Sequence, residues 1–492
     1  MKTSPPGIAA VIAVDRRSQK PLHRQVYEGY RDAIIERRLH PGQRLPSTRS
    51  LAAELGISRV PVISAFEQLL TEGYIESRVG SGSFVARALP EPRPARPMVA
   101  APAVTKRPGR RPVARIADAL ATGPQPWATG HGAFRLSLPA LDQFPAATWA
   151  RLLARHARNA TRSLLGYSNA LGYAPLRETL AAYLRTSRAV RCEPEQILVV
   201  SGSQQALVLC ARVLLEPGEP VWVEEPGYSG ACNAFLLMGA RLVPVPVDDE
   251  GLDVAAGWAR APRARVAYVT PSHQYPLGMT MSAARRLRLL EWARSSGSWI
   301  IEDDYDSEYR YESQPVGALQ GLDRDARVLY VGTFSKVLYP ALRIGYLVVP
   351  PDLVDRFARV RDTLDIFAPT LPQAALTDFL GEGHYGRHLR RMRRLYAERR
   401  NTLVEALENE LGDSVEVLGS QAGMHLVAQL RPPHSSDREI AERAAVLGVS
   451  ALPLSTCYRE RPKRQGFVLG FAGVGKLQVL EGVRKLRSVI QA

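Results

Sequence analysis

Residues 333–350 read TFSKVLYPALRIGYLVVP. The last eight, RIGYLVVP (343–350), have the apolar density of a buried strand, as does RVLYVGTFSK (327–336) just before them. A lysine therefore stands where a strand gives way to a loop, seven residues ahead of an arginine. Working outward, the same texture repeats. QILVVSG (196–202) precedes the helix-compatible SQQALVLCARVLL, and PVWVEE (220–225) precedes another helical stretch near Ser229. RLVPVPV (241–247) and RVAYVTP (265–271) are further strand candidates. MSAARRLRLLEWARSSG (281–297) has helical spacing ahead of SWIIEDD (298–304). Short buried strands alternating with amphipathic helices predict an α/β domain on a mainly parallel sheet covered on both faces. In such sheets ligands bind beyond the carboxyl ends of the strands.

Lys336 sits at such an end, after small hydroxyl residues. That placement fits Schiff-base chemistry with pyridoxal 5′-phosphate (PLP), with Lys336 as the amine. Ser335 and Arg343 offer a hydroxyl and a bidentate guanidinium to a phosphate dianion. Desolvation and nearby positive charge make such an amine easier to deprotonate and hence nucleophilic. Asp303, ending SWIIEDD, is placed to pair with a pyridine nitrogen and keep it protonated. Tyr305, two residues on, is placed to donate its hydroxyl to the ring O3′. Ser203 and Gln204 open the helix after VVSG, where backbone N–H groups and the helix dipole attract phosphate. Tyr228 in EEPGY has the planar side chain needed to stack on a ring.

The chain has 492 residues, with 64 Lys+Arg against 48 Asp+Glu and a formal net charge of +16. Apolar residues at 46% and charged residues at 23% exclude a wholly disordered chain, and the length suggests two to four domains. No apolar run approaches the ~18 residues that span a bilayer. Ile8 to Val14 reads as a leading strand rather than an export signal, because Asp15, Arg16 and Arg17 follow at once. Four scattered cysteines, with no CxxC, point to a reducing cytoplasm. The charge is uneven: residues 1–115 hold 20 basic and 9 acidic side chains, so +11 of the excess lies there. A basic end on a near-balanced body suggests a polyanion-binding module.

Residues 21–86 (PLHRQVYEGYRDAIIERRLHPGQRLPSTRSLAAELGISRVPVISAFEQLLTEGYIESRVGSGSFVA) carry ordered signals for that module. Leu22, Val26, Tyr30, Ala33 and Ile34 recur at helical spacing. Ser47 is placed to cap a second helix that Gly56 ends, and Ser58 a third whose inward face is Val62, Ala65, Phe66, Leu69 and Leu70. Two short strands around Gly80-Ser81-Gly82 complete a winged helix-turn-helix. Residues 87–118 are rich in proline and arginine, which predicts an extended linker with a reach of about 3 Å per residue. The domain limits expected are therefore 1–86, 87–118 and 119–492.

The RLPS-x-R, LGISR and EGY motifs of the head resemble those of the GntR family of bacterial repressors. On that resemblance Arg59 reads guanine in the major groove and Arg49 reads a base or clamps phosphate. Ser58 serves as cap and phosphate contact, and the Gly80 turn approaches the minor groove. Val60-Pro61 replaces the polar pair common in that family, which alters base preference.

Residues from about 130 to 475 resemble fold-type I aminotransferases. The pairing with a GntR head is similar to the MocR/GabR regulators, through DDYDSEYRY (303–311), PSHQYPLGMTMS (271–282) and TFSK…LRIGY. The resemblance implies a cytoplasmic, head-to-tail homodimer in which Tyr167 reaches the neighbouring subunit's phosphate. It also implies a PLP-dependent regulator of operator DNA that senses PLP or an amino compound through aldimine exchange, with no metal. The alternative is an active PLP-dependent aminotransferase with an appended DNA-binding domain. Two departures favour the regulator, with little beyond a half-transamination: Tyr275 stands where aminotransferases carry Asn, and Val468 where they carry the arginine that grips a substrate carboxylate.

Overall fold

In the head, apolar residues three and four apart wind into a helix, α1 (Leu22–Ile35), that buries Val26, Tyr27, Tyr30, Ala33 and Ile34. The second helix, α2 (Thr48–Glu54), is capped by the Ser47 hydroxyl, which accepts from the Ser50 N–H at 3.0 Å. The third, α3 (Arg59–Thr71), buries Val62, Ala65, Phe66 and Leu69, with Phe66 edge-on to Tyr30 at 5.4 Å. Leu70 is 45% exposed, because one residue past Leu69 the helix has turned its side chain off the inward face. Ser58 stands at the start of α3, but its hydroxyl makes no capping bond; being exposed, it has water as an equal partner. Strands β1 (Ile75–Arg78) and β2 (Gly82–Val85) form the antiparallel wing, and Arg44 adds a bridge to Phe84.

The structure, a computed structural model, describes residues 12–78, 81–88, 114–120, 132–311, 316–432 and 436–491. It falls into two units, residues 1–112 and 113–492. Gly80 lies outside the described residues, as does most of the 87–118 linker. The described end of that linker corrects one expectation: Arg115–Leu120 is a short helix, which the proline-free RIADAL permits. The described part of the Ile8–Val14 stretch is not a strand. Ile12 and Val14 instead pack irregularly on the head's core, Ile12 against the Gly29 face of α1.

The body is built on eight strands: β3 (Ile197–Val200), β4 (Pro220–Glu225), β5 (Arg241–Asp248), β6 (Gly251–Leu252), β7 (Val266–Val269), β8 (Trp299–Asp304), β9 (Val328–Thr333) and β10 (Gly345–Val348). They run in the order β3-β10-β9-β8-β7-β4-β5-β6. The pairs β5–β4–β7–β8–β9 are parallel, whereas β10 lies antiparallel to both β3 and β9. Alternation divides the side chains between faces. Leu198 and Val200 pack with the helices Ser203–Leu214 and Ser229–Leu237, whereas Ile197 and Val199 join the opposite core. On that opposite side Trp222 stacks on Trp292 at 3.9 Å.

A second, antiparallel sheet comes next, with β11 (Val415–Leu418), β12 (His425–Leu430), β13 (Leu452–Pro453) and β14 (Gly466–Gly470) in the order β11-β12-β14-β13. It shares a core with the helices His384–Leu411 and Lys476–Ile490. Among the described residues no helix is long and apolar enough to cross a membrane.

Candidate functional site

The carboxyl ends of β3, β4, β7, β8 and β9 converge on one cleft. Its wall includes Ser203, Tyr228, Asp303, Tyr305 and Lys336. Five residues singled out in the sequence, spread over more than 130 positions, are thus brought together by sheet topology. Gln204 lies beside them, its side-chain amide donating to the Gly230 carbonyl at 2.8 Å.

Asp303 is the last residue but one of β8, and the pleat sends it to the cleft while Asp304 points the other way. Asp304 is held there by the buried Arg188, whose Nε donates to Oδ2 at 2.8 Å, and by the Tyr330 hydroxyl at 2.5 Å. Asp303 is buried; its Oδ2 accepts from the Tyr268 hydroxyl at 2.7 Å, and its Oδ1 has no partner. Burial pushes this carboxyl up to about 7, against the pull of the Tyr268 hydrogen bond. A cation set against Oδ1 would reverse that shift.

Lys336 follows β9 through Thr333-Phe334-Ser335. It is half-buried at the cleft, and desolvation pushes its amine down to about 8, although Asp306 and Asp303 both pull upward. The adjacent Ser335 hydroxyl is buried without a partner.

The helix Ser203–Leu214 begins at Gly202, whose φ of +95° and ψ of 170° are open to glycine alone. A Cβ there would lie 2.8 Å from Nη2 of Arg343. The guanidinium, which donates to the Ser201 carbonyl, therefore sits over a helix start whose first N–H groups lack intrahelical partners. Such an arrangement suits an anion. Gly202→Ala is expected to destabilise the protein by about 1–3 kcal/mol and to weaken phosphate binding, both readable by denaturant titration with and without inorganic phosphate.

Tyr167 is not in this cleft. It is 88% exposed, with Phe367 as a ring neighbour at 6.2 Å.

The sequence reading missed a buried group behind Tyr305. Its hydroxyl meets His273 Nδ1 at 3.0 Å, and the same nitrogen lies 3.0 Å from Asp306. Met424 N–H donates to the other Asp306 oxygen at 3.2 Å, and His425 Nε2 donates to the Pro276 carbonyl at 3.1 Å. Candidate ligand atoms of His273, Asp306 and His425 lie within 4.8 Å of one another. Burial, then His273, pushes His425 down to about 4, which keeps it neutral. His273 stands in the PSHQYPLG run, but its partners lie 32 residues or more away, so spacing gave no signal.

In the head, Arg49 and Arg59 are both exposed, at the starts of α2 and α3. Arg59 Nε donates to the Thr48 hydroxyl at 3.1 Å, which steadies the guanidinium against the start of α2. Val60, on the same first turn, is 70% exposed. Arg78 lies over the Phe84 ring at 4.7 Å on the wing. An exposed pair of arginines with an apolar tip suits a groove floor flanked by phosphates.

Comparison with known proteins agrees with both halves. Residues 136–459 match the family described as aminotransferase class I and II, and residues 22–85 match bacterial regulatory proteins of the gntR family. The chain is 44% identical over 486 residues to the "Probable rhizopine catabolism regulatory protein MocR" of Rhizobium meliloti, covering 98% of this chain and 96% of that protein. It is 31% identical over 482 residues to the HTH-type transcriptional regulator TauR of Rhodobacter capsulatus, covering 96% of each. The α-aminoadipate aminotransferase LysN of Thermus thermophilus, solved with N-(5′-phosphopyridoxyl)-L-leucine, is similar over 77% of this chain and 97% of its own, at 31% identity and a TM-score of 0.71. With a gntR-type winged helix ahead of a class I and II aminotransferase fold, and such similarity over nearly its whole length, the chain belongs to the MocR type of regulators.

Proposed function

We propose that the protein is a PLP-dependent, DNA-binding transcriptional regulator whose aminotransferase-like body senses PLP, an amino compound, or both. The observation that carries this is the cleft's unfinished bonding. The Asp303 Oδ1 and Ser335 Oγ are buried without partners, and Lys336 is the amine beside them. Each orphan matches one part of PLP. Asp303 would take the pyridine nitrogen, and Tyr228 the ring face. Tyr305, already aimed by His273, would meet the ring oxygen. Ser335, Arg343 and the N–H groups of Ser203 and Gln204 would hold the phosphate. When bound, PLP supplies a carbonyl open to attack by primary amines.

Lys336 holds the proton that decides this capture. With its amine near 8 rather than 10.5, about a tenth is already neutral at pH 7, against well under about a thousandth for an ordinary lysine. The rate of PLP uptake is therefore expected to rise with pH through a midpoint of about 8, followed by stopped-flow absorbance; a midpoint above 10 would contradict the depressed amine. The same shift has a stability consequence. The folded state resists protonation, so the penalty is fully present below about 8 and fades as pH rises towards 10.5.

The head reads duplex DNA through Arg49, Arg59 and the exposed Val60, an apolar group suited to a thymine methyl. Ser58 is a phosphate contact. Domain limits of 1–86, 87–118 and 119–492, with the Arg115–Leu120 helix crossing the last of them, a head-to-tail dimer and Tyr167 completing the partner's phosphate site belong to the same proposal. The exposure of Tyr167 supports that last role. An effector acts only through unequal affinity for the two states of the regulator. Mobility-shift titration of the DNA upstream of the gene should therefore change at least about fivefold on adding PLP. Equal affinity with and without PLP, at saturating cofactor, would sink the sensing half of the proposal.

A further inference from the structure

The cleft's wall also carries information about what it excludes. Among the described residues lining it, Lys336 is the one Lys or Arg. Arg343 stands apart over the Gly202 helix start, tied to Ser201. His425 is neutral, with its Nε2–H committed to the Pro276 carbonyl. Against these stands Asp306, since Asp303 is given to the pyridine nitrogen in the proposed PLP site.

The far wall is apolar. Leu136 lines the cleft and packs on a cluster of Leu277, Val427, Leu454 and Val468, in which Val468 is fully buried. Val468 pairs with Val427 across β12 and β14, so the pleat turns it to this side while Leu469 joins the opposite core. No charge can come from that position.

Three tyrosine rings close the remaining side. Tyr275 lies 5.8 Å from Tyr228 and 6.2 Å from Tyr305, each edge-on, and 5.6 Å from His425. Electron-rich ring faces beside the Asp306 carboxylate attract an ammonium. Hydroxyls of Ser137, Thr270 and the tyrosines can each donate or accept, which suits neutral hydroxyl groups. A ligand carboxylate entering the same space would lose its hydration and face Asp306, with no guanidinium among the described residues of this chain that line the cleft.

We infer that the effector taken up beside Lys336 is a primary amine without a carboxylate, of the amino-alcohol class, and that Val468 with Leu136 sets this preference. The inference rests on the proposed PLP site, because the amine is placed against the carbonyl that PLP would supply.

The test uses the full-length protein loaded with PLP and calorimetric titration with matched pairs: serinol against serine, and 3-amino-1-propanol against β-alanine. PLP binding itself is measured first by the same method on wild type. Failure at that step overturns the cofactor reading and is seen separately from any result with the amines. With PLP bound, each amino alcohol is expected to bind at least about tenfold more tightly than its carboxylate counterpart. Equal or tighter binding of the amino acids overturns the inference, and so does the absence of heat from all four. Val468→Arg, or Leu136→Arg should the first not fold, is expected to shift the serine/serinol ratio towards serine by about tenfold. An unchanged ratio in a variant that keeps wild-type PLP affinity and melting removes Val468 and Leu136 as the determinants.

Discussion

Lys336→Ala is expected to weaken PLP retention at least ~100-fold, about 2.8 kcal/mol, measured as cofactor left after dialysis and by calorimetry. The amine is the group in the cleft poised for capture. Desolvation lowers it to about 8, yet Asp306 and Asp303 stand close enough to steady its charged form. Removing it leaves the proposed phosphate site at Gly202 and Arg343 intact, so residual, freely reversible binding should persist. Loss of all binding would instead mean that the body no longer folds, which melting would reveal. Retention through dialysis at wild-type levels would remove Lys336 from its assigned role. Asp303→Asn provides an independent comparison: it keeps the hydrogen bonding to Tyr268 but removes the countercharge, and should weaken binding without abolishing capture.

Arg59→Ala should cost about 1–3 kcal/mol of specific operator binding, with little change in non-specific binding. The geometry explains why the loss is large for one side chain. Arg59 leaves the first turn of α3, and its Nε is anchored on Thr48 at 3.1 Å, so little conformational freedom is lost on docking. Thr48→Val should therefore weaken specific binding in the same direction but less. Filter binding to operator and to scrambled DNA, at two salt concentrations, separates the two effects. Equal losses on both DNAs would make Arg59 a phosphate contact and not a base reader.

Much of this was legible in the linear chain. The strand ends bearing Asp303 and Lys336 could be read because a buried strand is an apolar run and its chemistry lies at the first polar residues after it. Ser47 and Gly56 were legible for a similar reason: caps and left-handed turns are local demands on single residues. The capping bond expected of Ser58 was misjudged because an exposed hydroxyl at a helix start has water to choose instead. Leu70 was misplaced because one residue is 100° of helix, and only packing shows where the buried face ends.

The sequence alone determined the order of the modules, the strand-and-helix alternation, the basic head and the residue types able to hold PLP, since these rest on periodicity, charge and local bonding. Tertiary structure decided what those residues meet. The sheet order gathered the ends of β3, β8 and β9 at one cleft; Arg188 fixed Asp304 on the far side of its strand; and β12 brought His425 against Pro276, 149 positions away. Such pairings depend on which surfaces pack together, and no spacing along the chain encodes the distance between groups that only folding makes neighbours.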